Sequence, residues 1–315
     1  MVLGGAGFIG SHVVRRLLDV GDRVILVDGL MQHSGGNMAN IADIVEQVEF
    51  INRPVADIEN FTQWVDAADV IIDCMAWTAH RLAIKNPQYD LDLNVRSHLH
   101  VVEAIKAVGA RSVVYLGSRS QYGRIEGREI HETTPMLPVD IQGVHKVTAE
   151  AYYRLYAEWL GFAAVSLRIC NVFGPGQPKI GPDIGLLGSI VRTCVADETV
   201  EIYGRGRARQ FIFAEDLAAV IERVSRRMQV GFLPYNVAGP SIEPVEIAER
   251  TIRLCGKGKI HFAEMPSDIV KIDSGESVLC CSRLIDEYGA IQVSDIDPAL
   301  QCTIEFFTEA STVRE

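Results

Sequence analysis

Short runs of β-branched and aliphatic residues alternate along this chain with longer stretches whose apolar positions recur every three or four residues. The runs at 24–27, 48–51, 70–73 and 112–115 read as buried strands. Residues 12–19, 60–65 and 87–108 read as helices, and in the last of these Val95, Leu99, Val102, Ile105 and Val108 form the stripe of a helix laid on a sheet. Regular strand–helix alternation predicts an α/β, doubly wound parallel sheet with helices on both faces. Past about Gly174 the rhythm breaks in the run Gly174-Pro175-Gly176-Gln177-Pro178, and later segments mix their signals. The predicted division is a main domain over 1–173, to which 211–240 return, and a smaller lobe from 174–210 and 241–315. Only Met1, Val2 and Leu3 precede the first turn, where a central strand usually has five or six residues, so the expectation is a clipped first strand or a start further upstream.

Composition narrows the choice of partners. The 315 residues are 48% hydrophobic and carry a formal charge of -11, which disfavours nucleic acid and anionic membranes, since both select basic patches. No apolar run approaches the roughly 18 residues of a spanning helix. Met1 leads straight into a glycine-rich turn rather than a signal peptide. The seven cysteines lie in apolar runs or as the neighbours Cys280 and Cys281, without metal-ligand spacing, so a reduced, cytoplasmic protein without a metal is expected.

The first chemical constellation is Gly4-Gly5-Ala6-Gly7-Phe8-Ile9-Gly10. A turn of this kind between a strand and a helix lets the backbone approach a pyrophosphate, whose charge sits on unpaired N–H groups at the helix N-terminus. Alone the motif is weak, because glycines also shape ordinary turns. Asp28 strengthens it: 24 residues after Gly4, at the end of a strand, it is placed to hold ribose hydroxyls. A carboxylate there repels a 2′-phosphate, which favours NAD over NADP.

Further segments continue the pattern: Asp57-Ile58, Asp73-Cys74-Met75-Ala76, Pro87 with Asn94-Val95, Ser118-Arg119-Ser120-Gln121-Tyr122-Gly123, Leu167-Arg168-Ile169-Cys170-Asn171, and Arg209 through Asp216. In these the chain resembles the NAD-dependent epimerase/dehydratase family of extended short-chain dehydrogenases, over nearly its full length. The resemblance implies a Rossmann domain with a C-terminal substrate lobe, bound NAD and a nucleotide-sugar substrate. It also implies that Gly4, Gly7, Phe8, Ile9, Gly10, Asp28, Asp57, Ile58, Cys74, Met75, Ala76, Asn94, Leu116, Lys146 and Cys170 contact the cofactor. Thr78, Ser118, Asn171 and Arg209 would contact the substrate. A second family arginine is absent, the chain reading Met265-Pro266-Ser267-Asp268, with Lys271 as a nearby cation.

The family oxidises a sugar carbon while the tyrosine of Tyr-x-x-x-Lys takes the hydroxyl proton and the lysine holds the nicotinamide ribose. Here that frame reads Gln142-Gly143-Val144-His145-Lys146. Lys146 keeps the cofactor role, but an amide at Gln142 exchanges no proton near neutral pH. Ser118 retains the hydroxyl that hydrogen-bonds the reacting oxygen. Arg119 and Ser120 replace the Asp-Glu of sugar 4,6-dehydratases, which disfavours dehydration.

His145 is the leading replacement base, being on the same helix beside Lys146, whose charge favours a neutral imidazole. A hydrogen-bonded structural histidine is the alternative there. His80, in the loop after the fourth strand, is the second candidate, and Tyr122 a third. His98 and His100, two apart on a helix, do not face one another. The leading reaction is epimerisation. A binding-only relative and a non-redox keto-sugar epimerase are the rivals. Tyr152, Tyr153, Leu155, Tyr156 and Trp159 on the helix at 143–160 give it more apolar surface than one core face needs, so a homodimer is expected.

Overall fold

The computed structural model describes residues 1–309 apart from 33, 110, 128, 180, 182, 183, 205 and 274. In chain order the strands of the first half are β1 Val2–Leu3, β2 Ile25–Val27, β3 Glu49–Ile51, β4 Val70–Asp73, β5 Ser112–Ser118, β6 Glu129–Ile130 and β7 Ala163–Ile169. Those of the second half are β8 Asn171–Phe173, β9 Thr199–Tyr203, β10 Arg209–Phe213, β11 Gly231–Val237, β12 Ser241–Ile242, β13 Lys259–Ala263 and β14 Val278–Leu279.

Seven strands form one parallel sheet in the order β3-β2-β1-β4-β5-β7-β11. Their Val, Ile and Leu runs are buried on both faces, which is why they read as continuous apolar segments rather than alternating ones. Helices Phe8–Asp19 and Ala214–Arg226 cover one face through Val13, Leu17, Leu217 and Ile221. Helices Ser97–Val108 and Ile141–Leu160 cover the other through Val101, Ile105, Ala149 and Tyr153. From β1 the chain winds one way to β3 and then crosses to β4, so the winding reverses between β1 and β4. Ligands bind in the crevice at such a switch point, outside the carboxyl ends of the strands.

Strand β1 has two residues, paired to both Leu26 and Ile72 through Val2. The smaller sheets are β12-β10-β8, β13-β9 and β14-β6. Leu187, Ile190, Val191, Ile247, Leu300 and Ile304 gather on the first two of these in a separate apolar core.

The single helix expected over 87–108 is corrected: it runs as Pro87–Leu91, a π-turn at Asp92–Arg96, and Ser97–Val108. A π-turn adds a residue to the local repeat and rotates everything after it. Val101 therefore faces the core, Leu99 is only partly buried, and His98 points inward with no exposed surface. Helix Ile141–Leu160 starts two residues before the expected 143, because Asp140 accepts from Gly143 N–H at 2.6 Å as its N-cap. Tyr153 and Tyr156 pack into the main core, so of the aromatic residues expected at an interface only Trp159 is largely exposed.

Candidate active site

The glycine turn lies at the switch point, and its geometry demands glycine. Gly4 has φ of +70°, and a Cβ there would lie 3.1 Å from the Cys74 main chain after β4. A Cβ at Gly10 would lie 2.1 Å from the Gly4 carbonyl. Gly7 is the N-cap of helix Phe8–Asp19 and offers no side chain to its first N–H groups. N–H groups at such a helix N-terminus suit an anion.

Asp28, at the end of β2, accepts from Ala6 N–H at 2.9 Å and Leu30 N–H at 2.8 Å. Burial pushes its carboxyl up against those bonds. Its place beside the turn suits a diol such as a ribose, so turn and acid together fit a dinucleotide.

Lys146 is buried at the carboxyl ends of β4 and β5. Its Nζ donates to Leu116 O at 2.9 Å and Met75 O at 3.4 Å, and lies 5.0 Å from the Tyr115 ring centre. Burial lowers it to about 8, against the charge of Asp73. Sequence reasoning missed what lies beneath. Asp73, fully buried, takes hydrogen bonds from His98 Nδ1 at 2.6 Å, the Tyr153 hydroxyl and Met75 N–H. Burial alone would raise its pKa, but the His98 charge and these bonds hold it low. A buried negative charge is thereby fixed under the lysine.

Gln142, 3% exposed, donates from Nε2 to Trp77 O at 2.8 Å. Asn94 brackets the same residue, accepting from Trp77 N–H and donating to Trp77 O. Both side chains thus pin the loop after β4 that carries Met75, Ala76 and Thr78. Ser118 ends β5 in a capping box: its Oγ accepts from Ser120 N–H, and its own N–H donates to Gln121 Oε1. Gln121 in turn donates to Glu150, which is ion-paired with Arg168.

Two histidines meet buried carboxylates. His80 Nδ1 lies 2.7 Å from Asp140 Oδ2, in a pair whose imidazole is 39% exposed and whose carboxylate is 5% exposed. Asp140 lies two residues before Gln142 as the cap of its helix, and His80, expected in the loop, instead opens the helix His80–Lys85 three residues after Trp77. His145 Nδ1 bonds Asp90 Oδ1, with the imidazole 13% exposed and the carboxylate fully buried. Asp90 Oδ2 has no hydrogen-bond partner among the described residues. Tyr122 bonds Asn236 and Arg168 through its hydroxyl, and burial drives its pKa up to about 12, which makes it a structural residue.

Arg209 pairs with Asp273 at 2.9 Å, and Asn171 donates to Gln210 O at 3.1 Å. Arg205 lies outside the described residues, and Lys271 is exposed on the short helix Ser267–Ile272. Asp57 is exposed at the end of a 3-10 turn, Ile58 is buried beside it, and Cys170 is buried between β7 and β8.

Away from the crevice, Glu129, His131 and Cys280 bring ligand atoms within 4.8 Å of one another where β6 meets β14. Spacing in sequence could not show this grouping. All seven cysteines are free. No helix among the described residues is long and apolar enough to cross a membrane.

Residues 1–238 match the family model described as "NAD dependent epimerase/dehydratase family". A putative UDP-glucose 4-epimerase of Methanocaldococcus jannaschii is 30% identical over 222 residues, covering 69% of this chain and 70% of the relative. Among solved structures, a UDP-glucose 4-epimerase of Thermotoga maritima with UDP-glucose superposes with TM-score 0.86 at 21% identity, covering 98% of each chain. A dTDP-glucose 4,6-dehydratase of Streptomyces venezuelae with bound NAD gives 0.87 at 23% identity, covering 100% and 98%. With its switch-point glycine turn, buried lysine and matching sequence, this chain belongs to the NAD-dependent epimerase/dehydratase family.

Proposed function

We propose that this chain is an NAD-dependent nucleotide-sugar epimerase in which the His80–Asp140 pair moves the proton that a tyrosine at position 142 would move. The observation that carries the epimerase reading is Lys146, buried beneath a glycine turn that fits a dinucleotide. Bound NAD would supply the hydride acceptor and donor. Gly4, Gly7 and Gly10 bring main chain to the pyrophosphate, and Asp28 holds the adenosine ribose. Lys146 orients the nicotinamide ribose.

Ser118 hydrogen-bonds the reacting oxygen. His80 takes its proton through Nε2, because Nδ1 is held by Asp140. Asp140 fixes the tautomer and stabilises the charged ring, as the third group does in nucleophile–base–acid triads. His145, less exposed and set against Asp90, supports the helix through its hydrogen bond. A cytoplasmic homodimer, with Trp159 in the interface, completes the reading.

One observation favours a second reading, a relative that binds the ligands without turnover: the Gln142 amide is committed to Trp77 O and anchors the loop. Gln142→Tyr separates the two. In an enzyme that uses His80, the ring loses the Trp77 anchor and the rate of epimerisation falls or stays level. In a decayed enzyme the tyrosine restores turnover, and a rise of tenfold or more would reject the His80 assignment.

A further inference from the structure

A carboxylate, an imidazole and a thiol from two distant parts of the chain meet where β6 pairs with β14. Val278 pairs with Glu129 and Leu279 with Ile130 in parallel register, and just past β14 the Cys280 N–H still donates to Ile130 O at 2.9 Å. Side chains alternate between the two faces of a strand, so Glu129 and His131 share a face, which Cys280, two residues past Val278, joins. One ligand atom from each lies within 4.8 Å of the other two.

Buried partners hold the main chain that carries them. Asn236 of β11 donates from Nδ2 to Ile130 O at 2.8 Å and to Cys280 O at 3.3 Å, and has no exposed surface. Gln210 accepts from Leu279 N–H at 2.7 Å and donates to Leu279 O at 3.3 Å. His131 closes a turn with Thr134, whose Oγ1 accepts from His131 N–H at 3.1 Å and whose N–H donates to His131 O at 2.9 Å. The three side chains thus stand on a fixed backbone, while those of Glu129 and His131 stay open to solvent at 64% and 52% exposed.

The donor set selects among cations. Nitrogen and oxygen ligands at about 2.0–2.1 Å from a tetrahedral zinc ion lie about 3.3 Å apart, and His131 Nε2 is 3.6 Å from Glu129 Oε2. Thiolate and imidazole favour zinc over magnesium and calcium, which take oxygen ligands. Cys280 Sγ lies 3.3 Å from the Ser282 hydroxyl, a weak contact that a metal bond replaces readily.

We propose that Glu129, His131 and Cys280 bind one zinc ion with a fourth position open to water, and that this ion fastens β6 to β14. On binding, the Cys280 thiol releases its proton to solvent and the imidazole ligates as the neutral ring. None of the three residues belongs to the proton-transfer or cofactor machinery, so the inference stands or falls apart from the epimerase reading.

The test uses the full, NAD-loaded chain, stripped with a chelator and kept reduced by a phosphine, and titrates it with Co²⁺ as a coloured substitute for zinc. The expected result is a thiolate-to-cobalt charge-transfer band that saturates at one ion per chain, is displaced by Zn²⁺ and is insensitive to Mg²⁺. Cys280→Ser should lose the band. His131→Ala should weaken cobalt binding at least about tenfold, because losing even a group that supports a ligand costs that much. Zinc should also raise the melting temperature of the wild type by about 2 °C or more, and leave that of Cys280→Ser unchanged.

No charge-transfer band in the wild type overturns the site. A band that persists in Cys280→Ser, or a zinc-induced rise in melting temperature equal in both proteins, places the metal on another cysteine and overturns it too. If Cys280→Ser fails to fold, read as loss of its NAD, His131→Ala decides: wild-type cobalt affinity there rejects the proposal.

Discussion

Replacing Asp140 by asparagine changes one oxygen to an amide and separates catalytic from structural roles at the proposed dyad. Asp140 does two jobs, capping helix Ile141–Leu160 through Gly143 N–H at 2.6 Å and holding His80 Nδ1 at 2.7 Å. Asparagine caps about as well as aspartate. Its oxygen can keep the Gly143 bond, but its amide then faces Nδ1 as a donor. His80 must shift its proton to Nε2, and the base loses its acceptor atom. The stability cost is the difference between a charge-assisted and a neutral hydrogen bond, about 1 kcal/mol. The kinetic cost should be far larger, about 10²- to 10⁴-fold in kcat, as expected for a base in the wrong tautomer.

Acid stability gives a second readout of the same change. Burial would raise the Asp140 pKa, but the His80 hydrogen bond and charge, with Gly143 N–H, outweigh it and hold it low. A carboxyl depressed by folding contributes stability above its unfolded pKa and loses it as pH falls through the folded one. That contribution should fade below about pH 4 in the wild type and be missing from Asp140→Asn. The assay pairs kcat on the responsive sugar with thermal melts between pH 3 and pH 7. Full activity in a well-folded Asp140→Asn would refute the dyad.

Two further changes probe the cofactor crevice. Gly10→Ala would place a methyl 2.1 Å from Gly4 O, so the turn must open and the purified protein should lose its NAD, read as a change in the ratio of absorbance at 260 and 280 nm. Retention of wild-type NAD content would contradict the assigned turn. Lys146→Met tests the buried charge: a lysine lowered to about 8 sheds its proton before the unfolded chain does. Wild-type stability should therefore rise relative to Lys146→Met between about pH 8 and 10.5, by up to roughly 3 kcal/mol, in urea melts. A flat difference over that window would contradict the lowering of the lysine by burial.

How far the sequence reached depended on whether a feature was local. Strand β4 was legible to the residue, because a β-branched run bounded by polar residues has few other uses. The glycine turn and Asp28 were legible because their spacing is set by one strand–turn–helix–strand unit. Gln142 was visible as an anomaly, but its partner is a main-chain oxygen 65 residues away, which no motif encodes. The Asp73–His98 pair was hidden by the π-turn, which shifts the helical phase and carries His98 into the core. Asp140 did leave a local signal, as an aspartate immediately before a helix start. Its second role, holding His80, needed the fold. The pairs of Arg207 and Arg209 with Asp273 likewise join residues about 65 positions apart.

Absorbance of the purified, NAD-loaded protein at the reduced-nicotinamide band, followed while nucleotide-sugars are added one at a time, tests the central claim most directly. The expected result is a rise with one class of sugar, diminished in His80→Ala and in Asp140→Asn. A sugar that binds and is turned over while the band never changes would contradict hydride transfer.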